Sequence, residues 1–324
     1  MSVEGGSLGE DSYPVDLSPP DISAYRNGNT GIEYASTLDS GTAGPHVMLT
    51  AVVHGNELCG AIALDWLVRE GVRPVRGKLS LVFCNVGAYL AFDPANPQAS
   101  RFLDEDFNRV WAEAVLDGPR KSRELARARA LRPLIGTADL LLDIHSMQHP
   151  TKPLMLCGPL EKGRRFARDV GVPATIVSDE GHSAGKRMRD YAAFGDPASP
   201  KNALLVECGQ HWEPASADVA KETALRFLLA TGAVARDWIE ARLPRSAPAP
   251  QRTIEVTHAV TINSDDFRFA ADFRGLETIP RKGDEIARDG GTVVRAPYDD
   301  CVLIMPSRRL GKGQTAVRLG RYIG

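Results

Sequence analysis

Two short stretches of the chain place imidazole and carboxylate groups where they could share one cation. In "AVVHGNE" an apolar run from Val47 to Val53 stops at His54, and Glu57 follows three residues later. In "LLLDIH" a second apolar run ends in Asp143 and His145. Side chains alternate along a strand, so Asp143 and His145 share one face. His54, Glu57 and His145 together form a three-donor set suited to Zn²⁺, with the fourth position left to water. Asp143 is then placed to orient a ligand or that water. The His54–Glu57 spacing is a weak signal taken alone; its location at the carboxyl end of a strand, where open α/β sheets put their sites, strengthens it.

A third apolar run, in "LLVECGQH", ends in Glu207, with His211 four residues on. A carboxylate behind four apolar residues is costly to bury without a partner. Beside a metal-bound water it has one, because such a water has a pKa near about 7 and a neighbouring Glu can take its proton and pass it to a departing amine. Glu207 is therefore the candidate general acid/base, and His211 a candidate for the pocket wall. Between these strands, "RFLDEDFNRVW" packs Arg101, Asn108 and Arg109 into an acid-rich loop. Arg offers a planar fork that matches a carboxylate, and Asn adds a neutral donor. Surface pairing of these arginines with Asp104, Glu105 and Asp106 is the competing reading.

The elements that must position these groups follow an α/β rhythm. "HVMLTAVVH", "GKLSLVFCNV", "ADLLLDIH", "PLMLCG", "PATIVS" and "NALLVECG" read as strands. Helices are expected at "NELCGAIALDWLVREG", which Gly71 closes, at "KSRELARARALRPLIG" with its arginines on a solvated face, at "EKGRRFARDVG", around "GKRMRDYAAFG" and at "SADVAKETALRFLLATGAV". Continuous apolar strands between amphipathic helices indicate a mostly parallel, mixed sheet covered on both faces. The expected hydrolase domain spans residues 1–240, with 1–39 as a polar leader. Pro- and Ala-rich residues 241–251 read as a linker, and 252–324 as a small β-domain that is structural or encloses the site. That last segment loosely resembles lipoyl-type sandwiches but has no Met-Lys-Met for cofactor attachment.

Composition narrows the class of partner. The 324 residues carry 39 Lys and Arg against 41 Asp and Glu, a formal net charge of -2. No basic footprint for nucleic acid or anionic membrane is present, so a small molecule is the expected partner. The acidic, polar N-terminus has no secretory pattern and no segment reaches the length of a membrane span, which gives a cytoplasmic expectation. The five cysteines are widely spaced and form no Cys-x-x-Cys pair, which argues against a disulfide framework or zinc-ribbon site. Cys84, Cys157 and Cys208 lie in apolar runs and read as small buried hydrophobes. The oligomeric state is left open, a homo-oligomer included.

The set "HGNE", "RFLDEDFNR", "DIHS" and "LLVECG", in this order, resembles the succinylglutamate desuccinylase/aspartoacylase family of the zinc-carboxypeptidase superfamily. The resemblance runs from about Ser40 to the C-terminus. It implies that His54, Glu57 and His145 bind one zinc ion and that Glu207 is the catalytic carboxylate. It further implies that Arg101 polarises the scissile carbonyl, while Asn108 and Arg109 grip a substrate carboxylate. The aspartoacylase branch uses further Arg and Tyr residues, for which Arg187, Arg189 and Tyr191 are candidates here, with a helix-surface position as the alternative. It also uses a Tyr from the C-terminal region, where "PSRRLGKGQTAVRLG" has none. The leading expectation is a zinc-dependent amidohydrolase that removes an acyl group from an N-acyl amino acid or a related small, carboxylate-bearing molecule. A carboxypeptidase with the same metal chemistry and a non-catalytic metal- or ligand-binding protein are the alternatives.

Overall fold

The structure is a computed structural model and describes residues 13–181 and 184–323. The first twelve residues of the expected leader and His182 lie outside the described residues. The strands of the first half are β1 (Ala35–Asp39), β2 (His46–Ala51), β3 (Lys78–Phe83), β4 (Leu140–Met147), β5 (Leu154–Leu156), β6 (Thr175–Ser178) and β7 (Asn202–Gln210). The helices are α1 (Leu58–Arg69), α2 (Val86–Leu90), α3 (Glu113–Leu116), α4 (Arg123–Thr137), α5 (Glu161–Val170), α6 (Pro214–Thr231) and α7 (Arg236–Glu240). Toward the C-terminus follow β8 (Arg252–Thr261), β9 (Phe267–Phe269), β10 (Thr278–Ile279), β11 (Glu285–Asp289), β12 (Thr292–Arg295), β13 (Cys301–Ile304) and β14 (Thr315–Ile323).

Among the described residues, an 11-stranded sheet runs in the order β1-β3-β2-β4-β7-β5-β6-β8-β14-β13-β10, and β12-β11-β9 form a separate 3-stranded sheet. The centre, β3-β2-β4-β7, is parallel. β1 and β5 join it antiparallel, and β6 pairs parallel with β8. This is the mostly parallel, mixed sheet that the apolar runs call for. β7 is buried along its whole length, which explains why its sequence does not alternate. Side chains of one pleat pack under α1, α5 and α6, and those of the other pack under α4.

α1 shows how closely these layers approach. It buries Leu58, Ala61, Leu64 and Leu67 at helical spacing, and a Cβ on Gly60 would meet the Cβ of Ala51 at 2.8 Å. At the far end Gly71 turns the chain with φ +71°, a conformation that costs glycine little. Segment 252–324 continues the large sheet through β8, β14, β13 and β10 as well as building the small one. The seam is apolar: Met147, Leu154, Leu156, Val177 and Leu205 pack with Ile254, Val302 and Ile304.

Three expectations are corrected. The helix expected around "GKRMRDYAAFG" is two short 3₁₀ turns, Met188–Asp190 and Ala192–Phe194. Tyr191 is extended and Ala192 has φ +46°, so no continuous α-helix can form there. Second, the arginines of α4 are not simply solvated. Arg127 donates to the carbonyls of Cys84 and Phe83, and Arg129 to those of Leu116 and Gly118. Third, part of the expected leader is the edge strand β1, in register with β3 from Ala35↔Val82 to Asp39↔Lys78.

One buried carboxylate of α4 controls the loop that carries Arg101. Glu124 is fully buried. Its Oε1 accepts from Leu103 N (2.6 Å) and Asn85 Nδ2 (3.2 Å), and its Oε2 from Asp104 N (3.0 Å) and Glu105 N (3.3 Å). Truncating it strands those donors, and charged hydrogen bonds of this kind contribute about 1.5 to 3 kcal/mol each, with partial compensation by entering water. Glu124→Ala is expected to lower unfolding stability by about 3 kcal/mol, read as a reduced midpoint in urea denaturation. An unchanged midpoint would show that the loop holds itself.

Candidate active site

The turn after β2 brings His54 and Glu57 to the carboxyl edge of the central strands. Val52, just before it, has φ +62°, a strained conformation for a β-branched residue that bends the chain off the strand. Gly55 follows, and its amide donates to Arg101 O at 3.1 Å. A Cβ there would lie 2.3 Å from the Ala88 carbonyl carbon and 2.4 Å from Ser100 O, so only glycine lets this turn nest against the Arg101 loop.

His145 lies in β4 beside β2, and Glu207 is its register partner in β7. The side chains of His54, Glu57 and His145 converge. Glu57 sits between two imidazoles, with Oε1 2.6 Å from His54 Nδ1 and Oε2 2.8 Å from His145 Nδ1. One donor atom from each of the three residues lies within 4.8 Å of the others, and all three residues are buried. The far edge of each ring also meets a carboxylate: His145 Nε2 is 2.9 Å from Asp143 Oδ2, and His54 Nε2 is 3.0 Å from Asp106 Oδ1. Thr50, the register partner of Asp143, donates to Asp143 Oδ1 at 2.7 Å and fixes it.

This arrangement has a definite electrostatic meaning. A carboxylate oxygen only accepts, and a neutral imidazole has one N–H. His145, with carboxylates at both nitrogens, therefore satisfies both only as an imidazolium or with another cation on its Nδ1 side. Burial opposes its charge, but Asp143 and Glu57 hold its pKa well above the ordinary histidine value. Burial likewise works against Glu57, yet His54 and His145 hold it well below the usual carboxylate range. Two imidazole Nδ1 atoms and one carboxylate, with the outer ring nitrogens fixed by carboxylates, match the donor set and the outer support of a divalent metal site. The residues present fit such an ion.

Glu207 faces the same space under different conditions. It is 6% exposed, and its Oε2 is buried without a hydrogen-bond partner among the described residues. Burial pushes its pKa up to about 8; His145 and Arg101 oppose the rise, and Glu57 and Asp143 reinforce it. Arg101 reaches over the triad, with Nη2 3.0 Å from His54 Nε2 and 3.4 Å from Asp106 Oδ2, and Nη1 3.4 Å from Glu57 Oε1. These groups line a cavity of about 380 Å³ with Asn108, Arg109, Arg187 and His211, a size for a small ligand. Asn108 Oδ1 accepts from Met188 N at 3.0 Å. His211 Nδ1 lies 2.8 Å from Ser146 Oγ, while its buried Nε2 has no partner among the described residues.

Arg187, Arg189 and Tyr191 are placed otherwise than on a helix surface. Arg187 lines the cavity, but Asp179 takes its two terminal nitrogens at 2.9 and 2.8 Å and Asp190 takes its Nε at 2.6 Å. Arg189 donates to the carbonyls of Ala203 and Cys157, and Tyr191 Oη accepts from Arg132 Nε at 2.9 Å. Of the acids in the competing surface-pairing reading, Asp104 pairs with Arg123 and Glu105 with Arg120, while Asp106 pairs with Arg101 over the triad. Sequence reasoning missed Asp106 as a support for His54. Its Oδ1 also caps Asn108 N at 2.8 Å, so the available signal was an Asp heading a short helical turn. It also missed Gly55, Glu124 and which residues of segment 252–324, Arg318 among them, line the cavity. Cys84, Cys157 and Cys208 are free and buried, as their apolar runs suggest, and Cys59 and Cys301 are free and buried as well. No described helix is long and apolar enough to cross a membrane.

Comparison with known proteins gives the family of the chain. Residues 43–230, more than half of the chain and inclusive of every site residue from His54 to His211, match the model of the succinylglutamate desuccinylase/aspartoacylase catalytic domain. The chain belongs to this family of deacylases. A succinylglutamate desuccinylase from Burkholderia lata is 25% identical over 311 residues, covering 90% of this chain and 83% of that one. Of solved structures, the succinylglutamate desuccinylase from Vibrio cholerae superposes with a TM-score of 0.66 at 19% identity, over 90% of this chain and 86% of that one. The product-bound ectoine utilization protein EutE (DoeB) from Ruegeria pomeroyi gives 0.58 at 19% identity, over 88% of each chain. These likenesses extend past the matched domain and share the fold.

The raised Glu207 carboxyl fixes the sign of a pH effect in chelator-treated protein. Its folded pKa of about 8 lies above the ordinary 4.5, so the folded state holds a proton that the unfolded chain gives up. The stability this represents is present below about pH 4.5 and is lost as pH rises toward 8. Metal-free wild-type protein is expected to lose stability relative to metal-free Glu207→Gln between pH 5 and pH 8 in urea denaturation. Parallel pH curves for the two proteins would contradict the burial of an ionisable, unpaired carboxyl.

Proposed function

We propose that the protein is a metal-dependent, zinc-type amidohydrolase that cleaves the amide bond of an N-acyl amino acid or a related small N-acylated, carboxylate-bearing molecule. The observation that carries this reading is the convergence of two imidazole Nδ1 atoms on Glu57 beside Glu207, whose Oε2 is buried without a partner among the described residues. His54, Glu57 and His145 would hold one divalent cation, and nitrogen and oxygen donors in this number favour zinc. When bound, such an ion supplies a water of lowered pKa and polarises a carbonyl oxygen.

The chain's own groups account for the remaining work. The Glu207 carboxyl, which burial raises to about 8 and which a cation held by His54, Glu57 and His145 would lower, is suited both to take and to return a proton near neutrality. It accepts the proton of the attacking water as the new C–O bond forms. It then delivers that proton to the amide nitrogen as the C–N bond breaks, so the products are a carboxylic acid and a free amine. Arg101, held over the triad by Glu57 and Asp106, offers its guanidinium to the oxygen on which negative charge develops. Preorganised donors of this type contribute about 3 to 4 kcal/mol. Asn108 and Arg109 orient the substrate through a carboxylate, and Asp143 and Asp106 fix the imidazole rings.

A carboxypeptidase acting on peptide C-termini uses the same groups. The volume of about 380 Å³ and the walls contributed by Met305, Pro306 and Gln314 favour a small substrate, and we propose that segment 252–324 encloses the site. The non-catalytic reading has no use for a proton-accepting carboxyl placed as Glu207 is.

Two variants test the proposal together, on metal-loaded protein with a panel of N-acetyl, N-succinyl and N-formyl amino acids. His145→Ala is expected to lose both bound metal and hydrolysis. Glu207→Gln is expected to retain metal in elemental analysis while kcat falls by about 10² to 10⁴. Turnover by Glu207→Gln at the wild-type rate would remove the assigned base, and full metal occupancy in His145→Ala would remove the assigned site.

A further inference from the structure

Accounting for the positive charge on the cavity wall singles out a residue beyond the matched catalytic domain. Arg101 is engaged by His54, Glu57 and Asp106, Arg187 by Asp179 and Asp190, Arg274 by Asp272, and Arg309 by Gln98. Arg318, from the middle of β14, differs. Its side chain is only 6% exposed, and its single ion pair runs from Nε to Asp179 Oδ2 at 3.7 Å, longer than a hydrogen bond. Among the described residues its two terminal nitrogens make no hydrogen bond, and neither is sealed from the cavity that Arg318 lines. Arg109 is similar: Nη1 donates to Asn108 O at 2.8 Å, and no carboxylate of the described residues lies within ion-pair distance of its guanidinium.

The two guanidiniums also feel each other. Burial pushes Arg109 down to about 10, Asp106 opposes, and Arg101, Arg318 and Arg187 add to the depression. Burial lowers Arg318 too. A buried cation with idle donors is costly, and the one carboxylate of the described residues within ion-pair distance of the pair, Asp179, reaches only Arg318 Nε and already holds Arg187. With Nε turned toward Asp179, Arg318 presents its Nη1/Nη2 edge, a planar fork that matches the two oxygens of a carboxylate.

We propose that Arg318 is a substrate-binding residue that, with Arg109, receives a carboxylate group of the substrate, so that the C-terminal strand sets specificity as well as closing the cavity. The inference rests on the deacylase reading for the identity of the ligand. Asp179 is the positioning residue: it locks Arg187 and turns Arg318 by one contact, leaving the fork free.

The test uses the full-length, metal-loaded protein as wild type, Arg318→Met and Arg318→Lys. With the best substrate of the N-acyl amino acid panel, Arg318→Met is expected to raise KM tenfold or more while kcat stays within about threefold, and Arg318→Lys to recover part of the loss. With the corresponding carboxamide, which offers one neutral acceptor oxygen in place of two charged ones, the KM difference between wild type and Arg318→Met is expected to be smaller than with the carboxylate. Calorimetric titration with succinate reads binding without turnover, and its Kd is expected to rise tenfold or more in Arg318→Met. If the wild type hydrolyses nothing in the panel, the deacylase reading fails while the succinate titration still judges Arg318. Unchanged KM and unchanged succinate affinity in Arg318→Met, with a wild-type near-ultraviolet circular dichroism spectrum, would overturn the proposal. Binding of inorganic phosphate more tightly than succinate would overturn the carboxylate class.

Discussion

Glu57 lies between His54 Nδ1 and His145 Nδ1, and most of the surrounding structure serves to hold those three groups in that relation. Each ring is fixed from behind by a carboxylate, Asp106 for His54 and Asp143 for His145, and Asp143 is itself anchored by Thr50. Four acidic groups and two imidazoles in a water-poor pocket are tolerable only while their charges compensate. That requirement explains why Arg101 leans over the cluster, and why Glu207, which no cation of the described residues reaches by a hydrogen bond, is driven toward its neutral form by burial.

The supports reach across distant parts of the chain. Glu124, on a helix of the opposite layer, ties down three amides of the Arg101 loop, while Gly55 lets the His54 turn press on the same loop from the other side. The apolar seam of Ile254, Val302 and Ile304 against Leu154 and Leu205 sets β8 and its neighbours onto the central strands. β14 thereby delivers Arg318 to the cavity. The sheet thus acts as one frame, with reactive groups at the ends of β2, β4 and β7 and a wall brought in by strands added later in the chain.

The legible part of this design was the part encoded locally. Apolar runs long enough to cross the sheet, broken by His54, by Asp143 and His145, or by Glu207, announce both a parallel sheet and the edge where polar groups collect. Period-two alternation sufficed to put Asp143 and His145 on one face. Other features depend on contacts remote in sequence. Asp106 reads equally well as a surface partner of an arginine until the fold sets it against His54. Arg187 and Arg189 sit in a pattern that suits a helix, yet Asp179 and backbone carbonyls of other strands capture them in 3₁₀ turns. Arg318 lies in an ordinary alternating strand, and only the pairing of β14 with β8 gives it a place in the cavity.

The central claim is that His54 Nδ1, Glu57 and His145 Nδ1 hold a single ion, and X-ray absorption at the zinc edge of the zinc-loaded protein tests it most directly. The expected spectrum contains nitrogen and oxygen neighbours at about 2.0 to 2.2 Å, with the multiple scattering of two imidazoles. A sulfur shell at about 2.3 Å, which would place the ion on Cys59 or Cys208 instead, or a spectrum with no imidazole contribution, would contradict the account.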